Sequence, residues 1–339
     1  MKQSHNITIE DVAEEAGVSA NTVSRALNDK DEIKDETKER ILKIADRMGY
    51  KPNRLAQGLR SDKTGVIGVI IPDNTNPYFA AVVKGIEQAA RSKGYSIILK
   101  DTNEDHQQEK EAIKVMLSEQ VDGILITPVQ TDQESIRHLQ EAPIPFVLVS
   151  RYFKDLDTDY VATEDDQGGY LATKHLIEQG HERIGFINGP LYNSSAKDRS
   201  IGYRKALEEY DLLPDADLII KDALFLDDGY QEAKKLLALE RPPTAIFTFS
   251  DFVALGTKKA IKEEGLEVPD DVAIVGYDDI AFLSCLESPL TTVSVPKKQI
   301  GARAMELLEK KISSEVVNRT EQIRLSVELK VRESSATPT

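Results

Sequence analysis

The stretch GVSANTVSRALN, residues 17–28, carries one basic side chain, no acid and several small polar side chains. It lies in a chain of 339 residues with a formal net charge of −15, and its flanks give it meaning. Upstream, TIEDVAEEA (8–16) begins on Thr8, which can cap a helix with Asp11 three residues on, and then sets Val12, Ala13 and Ala16 on one face. Gly17 ends that helix: glycine enters the left-handed conformation without steric cost, so 17–18 can turn the chain sharply. Ser19 then caps a second helix. Val23, Ala26 and Leu27 form its apolar stripe, and Ala20, Asn21, Ser24, Arg25 and Asn28 line the opposite face. A third helix, capped by Asp35, carries Ile41, Leu42, Ile44, Ala45 and Met48 and stops at Gly49. Three short helices around one small core read as a helix-turn-helix. The polar face of the second suits the major groove, where Asn bonds adenine and Arg bonds guanine. Periodicity alone leaves a plain helical hairpin inside another domain open.

Charge is sorted along the chain. Residues 1–63 hold 12 Lys+Arg against 12 Asp+Glu, so everything after them carries the whole −15. Within the head, 51–63 (KPNRLAQGLRSDK) has four bases and one acid. That tract is locally basic, as a phosphate-facing segment or an ordinary solvated surface would be.

TIEDVAEEAGVSANTVSRALND closely resembles the DNA-binding head of the lactose-repressor (LacI/GalR) family of bacterial transcription regulators, whose pattern is TIxDVAxxAGVSxxTVSRxLN. The resemblance continues through TKERILKIADRMGYKPNRLAQGLR, the counterpart of that family's third helix and hinge. It implies base reading by Ala20, Asn21 and Arg25 and phosphate contacts by Thr22, Ser24 and Asn53. Thr8, Ser19 and Asn28 complete the DNA-facing set. In NRLAQGLRS, Asn53 can cap a helix of about two turns with Leu55 and Leu59 on one side. So short a helix is marginal alone, since about 12–15 residues are normally needed. The resemblance implies that two hinges of a homodimer meet in the minor groove. Leu55 would then pack hinge on hinge, Leu59 would wedge between base pairs, and Arg54, Arg60 and Lys63 would meet phosphates. The residues by themselves favour a flexible linker with incidental leucines.

From Gly65 onward, apolar runs such as GVIGVIIP, VDGILIT, RIGFING and VAIVGYD alternate with amphipathic stretches such as YFAAVVKGIEQAARSKG and QEAKKLLALE. Continuous apolar strands alternating with helices predict parallel sheets covered on both faces. The alternation is too long for one sheet. The fold class expected is therefore α/β: a three-helix head and hinge, then two doubly wound parallel lobes with a break near 160–166. This order fits the periplasmic-binding-protein-like core of the resembled family, whose chain crosses three times between its lobes. The expected division is 1–50 head, 51–63 hinge, 64–162 with 293–324 first lobe, 163–292 with 325–333 second lobe, and 334–339 disordered tail.

In open parallel sheets, ligands bind beyond the carboxyl ends of the strands. The residues there are polar: Asp73, Asn74 and the helix-opening NPYF with Tyr78 and Phe79, then Asp101, Thr127, Arg151, Asp165 and Asp166. Further on come Asn193 with Ser195 and Arg199, then Phe225, Ser250 with Asp251, and Asp278. Arginines, carboxylates, hydroxyls and aromatic faces together suit a polyhydroxylated ring. The resemblance implies that Arg199 and Asp278 bond ligand hydroxyls and that Tyr78 and Phe79 lie under the ring. Singly, each has a plainer reading: an Asp after a strand is usually a helix cap, and Arg151 can serve a salt bridge. Leu224 and Asn193 replace the aromatic and Arg of purine-binding relatives, which disfavours a purine, whereas Arg151 leaves a sugar acid or sugar phosphate open.

One cysteine, Cys285, excludes an intrachain disulfide and a cysteine-based zinc cage and fits a reducing cytoplasm. No cofactor, metal site or membrane span is expected, and the five histidines follow no metal spacing. P-loop, GxGxxG, HExxH and GxSxG motifs are lacking, which argues against an enzyme. The expected partners are duplex operator DNA, a small carbohydrate effector and a second copy of the chain. The end of the chain lacks a leucine heptad that would tether dimers into tetramers. A phosphorylated protein corepressor in place of the sugar, or a sugar-binding protein without DNA function, are the alternatives.

Overall fold

The computed structural model describes residues 7–27, 33–50, 63–285, 288–313 and 319–335. The chain forms two compact units, Met1–Thr64 and Gly65–Thr339. In the first, α1 (Ile9–Ala16), α2 (Ala20–Leu27) and α3 (Asp35–Met48) close on Val12, Ala13, Ala16, Val23, Ala26, Ile41 and Ala45. Thr8 and Asp11 form a reciprocal capping box, with Asp11 N donating to Thr8 Oγ1 at 3.3 Å and Thr8 N to Asp11 Oδ2 at 2.7 Å. Gly17 takes φ 63°, the left-handed value that makes the turn tight. Ser19 Oγ accepts from Thr22 N at 3.1 Å and so caps α2. The start of α3 differs from expectation. Lys34 occupies the cap position with no side-chain bond, and Asp35 is the first helical residue. Asp35 and Glu36 there act through charge, lying near the positive end of the helix dipole. Leu42 is 40% exposed and lies outside the core.

The second unit has two six-stranded sheets. The first contains β1 (Val66–Ile71), β2 (Ser96–Asp101), β3 (Gly123–Ile126), β4 (Phe146–Val149), β5 (Tyr160–Thr163) and β11 (Gln322–Leu325), in the order β11-β5-β4-β3-β1-β2 and parallel throughout. The second contains β6 (Ile184–Ile187), β7 (Ile219–Ile220), β8 (Ala245–Thr248), β9 (Ala273–Asp278), β10 (Thr291–Ser294) and β12 (Glu328–Lys330), in the order β12-β10-β9-β8-β6-β7 with β12 antiparallel.

Strands buried on both faces send alternate residues to opposite layers. Val69, Leu125, Phe186, Phe247 and Val275 enter one core cluster. Their neighbours Ile70, Ile124 and Ile126, and Ile187, Ile246 and Ile274, enter two others. In the first lobe, α4 (Pro77–Ser92) and α11 (Lys297–Ser313) cover one face, and α5 (His106–Ser118) and α6 (Glu134–Glu141) cover the other. In the second, α7 (Asp165–Glu178) and α8 (Ser194–Glu209) lie opposite α9 (Leu226–Leu237) and α10 (Asp251–Glu263).

The chain passes between the lobes three times: from β5 to α7, from β10 to α11, and from β11 to β12. Because β10 runs to Ser294, Val293 and Ser294 belong to the second sheet rather than to the return segment expected at 293. The expected disordered tail is also corrected. A 3₁₀ turn at Glu333–Ser335 buries Ser334 and Ser335 against the second sheet. Ser334 Oγ accepts from Thr291 N at 2.8 Å and donates to Ile274 O at 2.7 Å. Ser335 Oγ donates to Thr291 Oγ1 at 2.7 Å. Residues 336–339 lie outside the described residues.

Candidate functional site

The head presents one face of α2. Val23 and Ala26 are buried, whereas Asn21 and Arg25 are exposed and Ala20, Thr22 and Ser24 are half-buried beside them. Asn21 and Arg25 stand one turn apart, the spacing at which two side chains reach neighbouring base edges. Thr8 and Ser19 are exposed, and their side chains are spent on helix caps. Asn28, Asn53, Arg54, Leu55, Leu59 and Arg60 lie outside the described residues.

In the second unit, residues of both lobes wall a cavity of about 570 Å³ including its mouth. Asp73, Tyr78, Phe79, Arg151, Ser195, Arg199, Phe225, Ser250 and Asp278, all expected from the sequence, line it together with Asn76. Two helix starts build opposite walls in the same way. Asn76 Oδ1 accepts from Tyr78 N at 2.9 Å, and Asn193 Oδ1 accepts from Ser195 N at 2.9 Å. Tyr78 and Phe79 meet edge to face, 5.0 Å between centroids, and the Tyr78 hydroxyl donates to Ser150 Oγ at 2.8 Å.

Arg199 is held from several sides. Its Nε and Nη2 lie 3.0 and 2.9 Å from Asp165 Oδ1, and Nη1 donates to the Phe249 carbonyl. Its guanidinium lies 3.5 Å from the Tyr277 centroid and 4.7 Å from that of Phe249. Close approach of α7 and α8 brings the pair together. A Cβ on Gly202 would overlap the Asp166 carbonyl, and one on Gly169 the Arg199 backbone. Asp278, at φ 120°, turns its buried carboxyl to the cavity. Burial pushes that carboxyl well above its usual range, against the pull of Arg199.

Seven of the expected polar residues, Asn74, Asp101, Thr127, Asp165, Asp166, Asn193 and Asp251, do not line the cavity. Asp165 stands behind Arg199, and Asn193 is the cap that sets Ser195 in place. Thr127 is buried at the end of β3, its N donating to Ile70 O at 2.9 Å. Asp251 is fully buried and faces the second sheet, accepting from Thr292 Oγ1 at 2.6 Å and Ile280 N at 2.8 Å. Burial raises its carboxyl to about 7. Conversely Glu104, Ser150, Leu224 and Phe249 line the cavity without having been singled out as effector contacts. Glu104 takes both Arg151 nitrogens, Nη1 to Oε2 at 2.9 Å and Nη2 to Oε1 at 2.6 Å. Its only sequence signal is an acid shortly after a strand, in a turn where Asn103 and Glu104 take φ 48° and 55°. The fold also gathers His106, Asp132 and Glu134, which sequence spacing did not suggest. There His106 Nε2 lies 2.9 Å from Asp132, and Glu134 pairs with Lys110 at 2.7 Å.

A helix-turn-helix head and a two-lobed receptor in one chain define a ligand-responsive DNA-binding regulator. Residues 64–333 match the model of periplasmic binding proteins and the sugar binding domain of the LacI family, and residues 8–53 match that of bacterial regulatory proteins of the lacI family. The chain belongs to the LacI family. It is 35% identical over 328 residues to the HTH-type transcriptional repressor PurR of Mannheimia succiniciproducens, covering 96% of this chain and 98% of that one. It is 36% identical over 314 residues to catabolite control protein A of Priestia megaterium, covering 92% and 95%. Among solved structures, the lac repressor dimer bound to operator and the anti-inducer ONPF superposes with TM-score 0.88 at 27% identity, over 98% of this chain and 100% of that one. The transcriptional regulator CelR–cellobiose complex gives 0.75 at 30%, over 97% and 99%. The protein is a DNA-binding transcriptional repressor with an effector-binding domain, and the named relatives are regulators rather than enzymes. Among the described residues, no helix is long and apolar enough to cross a membrane.

Proposed function

We propose that the protein binds a pseudo-palindromic operator as a homodimer in the cytoplasm and is gated by a small carbohydrate held between its lobes. The observation that carries the effector half is the wall itself. Both lobes supply hydrogen-bonding groups at one place, with Asp73 and Ser150 from the first facing Ser195, Arg199 and Asp278 from the second, beside the rings of Tyr78, Phe79 and Phe225. Hydroxyls bond carboxylate and guanidinium edges strongly, and sugar C–H faces pack on rings. A ligand touching both lobes biases their mutual angle and so the spacing of two hinges. A coupling of about 1–3 kcal/mol changes operator affinity about 5–150-fold.

The wedge assigned to Leu59 makes operator binding depend on the hinge. Leu59→Ala should weaken operator binding in a gel shift while calorimetry finds sugar affinity intact, and equal operator affinity would remove the wedge. A carbohydrate panel followed by thermal melting tests the effector, since a ligand at 100 times its Kd adds about 2.7 kcal/mol of stability. Melting unchanged across the panel, with capture of a phosphorylated protein instead, would transfer the trigger to a protein corepressor.

A further inference from the structure

The cavity holds two guanidiniums, and neither offers an uncompensated charge. Arg151 donates through both terminal nitrogens to Glu104, and its Nη1 also donates to Pro128 O at 3.0 Å. Both side chains are nearly buried, at 6% and 12% exposure, so water screens the pair little. Arg199 is matched by Asp165 and covered by the rings of Tyr277 and Phe249. Asp73 and Asp278 add carboxyl groups to the same wall. Near Asp278, Lys297 donates to the carbonyls of Asp278, Asp279 and Val295.

We propose that Glu104 is a specificity-determining residue: by occupying the Arg151 guanidinium it makes the cavity select an uncharged polyhydroxylated ligand over its phosphorylated or carboxylated forms. The inference rests on the carbohydrate reading above. A phosphate entering this wall loses its hydration, finds each guanidinium already neutralised and meets the carboxylate of Asp73. A neutral sugar meets none of that opposition, because its hydroxyls donate to the carboxylates and accept the remaining guanidinium N–H groups. Glu104 is fixed rather than incidental. Its amide donates to Pro72 O at 3.2 Å and that of Asn103 to Asp101 Oδ1 at 2.8 Å, holding both residues in a left-handed conformation. Side chains other than glycine keep that conformation only where their surroundings over-determine it.

The experiment titrates the full chain and Glu104→Gln, by calorimetry and thermal melting, with glucose, ribose, their terminal phosphates, gluconate and inorganic phosphate. The wild-type chain should prefer the neutral member of a pair by at least about tenfold. Glu104→Gln should narrow that gap by about tenfold and acquire binding of inorganic phosphate, which Glu104→Gln with Arg151→Met should lose again. Wild-type binding of a sugar phosphate or gluconate as tight as that of the neutral sugar overturns the proposal, whether or not the variants fold. If no sugar binds but Glu104→Gln gains phosphate binding through Arg151, the charge filter stands and the carbohydrate reading falls. If neither is seen, both fall.

Discussion

Replacing Arg199 by methionine tests the central contact of the second lobe. The change keeps much of the length and apolar contact on the Tyr277 and Phe249 rings. It removes both nitrogens from Asp165, at 3.0 and 2.9 Å, and the donor to the Phe249 carbonyl. Arg199 and Asp165 are 7% and 4% exposed, so the stranded carboxylate cannot be rescued by water. Breaking one side of such a buried pair costs about 3–5 kcal/mol. The lost ring stacking adds about 0.5–2 kcal/mol. Together these come to about 3.5–7 kcal/mol, and at roughly 2–4 °C per kcal/mol Tm should fall by roughly 7–28 °C in differential scanning calorimetry of the full chain. If the stranded charge is the cause, adding Asp165→Asn to Arg199→Met should restore part of the loss. A double-mutant cycle should then give a coupling of about 2–3 kcal/mol. A fall of under about 3 °C for the single variant, or additive effects in the cycle, would refute the argument.

Three further outcomes follow from the geometry. Arg25→Ala removes the exposed cation of α2 and should cost about 1–3 kcal/mol of operator affinity by fluorescence anisotropy, with the second unit's melting unchanged. Ser334→Val leaves Thr291 N without its partner beneath the second sheet and should destabilise by about 1–3 kcal/mol, read as a lower Tm. Asp251 titrates near 7 when folded, because it is buried, against about 3.9 in an unfolded chain. Its contribution to stability is therefore fully present below about pH 4 and lost as pH rises through 7. Asp251→Asn, which cannot titrate, should gain stability relative to wild type between pH 4 and 8, and parallel Tm–pH curves for the two would contradict this.

Much of this architecture can be read from local chemistry. Thr8, Gly17 and Ser19 announce the helix-turn-helix because caps and left-handed turns demand particular side chains, and these act within four residues. Runs such as VIGVII and AIVGYD are legible because both faces of a parallel strand are buried. β5 and β10, read as YVAT and TTVS, are strands by their neighbours. Four residues with small or hydroxyl side chains carry too weak a pattern alone. Ser334 reads as disordered tail because its polarity satisfies partners, Thr291 and Ile274, about forty to sixty residues earlier in the chain. The same gap separates Asp251 from Glu104. Both are acids in turns or helix starts after strands, and only tertiary placement sends one to Thr292 and the other to Arg151.

The three passages between the lobes have a consequence at low concentration. Both halves of the receptor are covalently tied, so each meets the other at a high effective concentration that does not change on dilution. A single copy per operator region would still carry an intact sensor, whereas any contact between two chains weakens as copies become few. Sensitivity to the signal is thereby set by the chain, and occupancy of DNA by the number of chains.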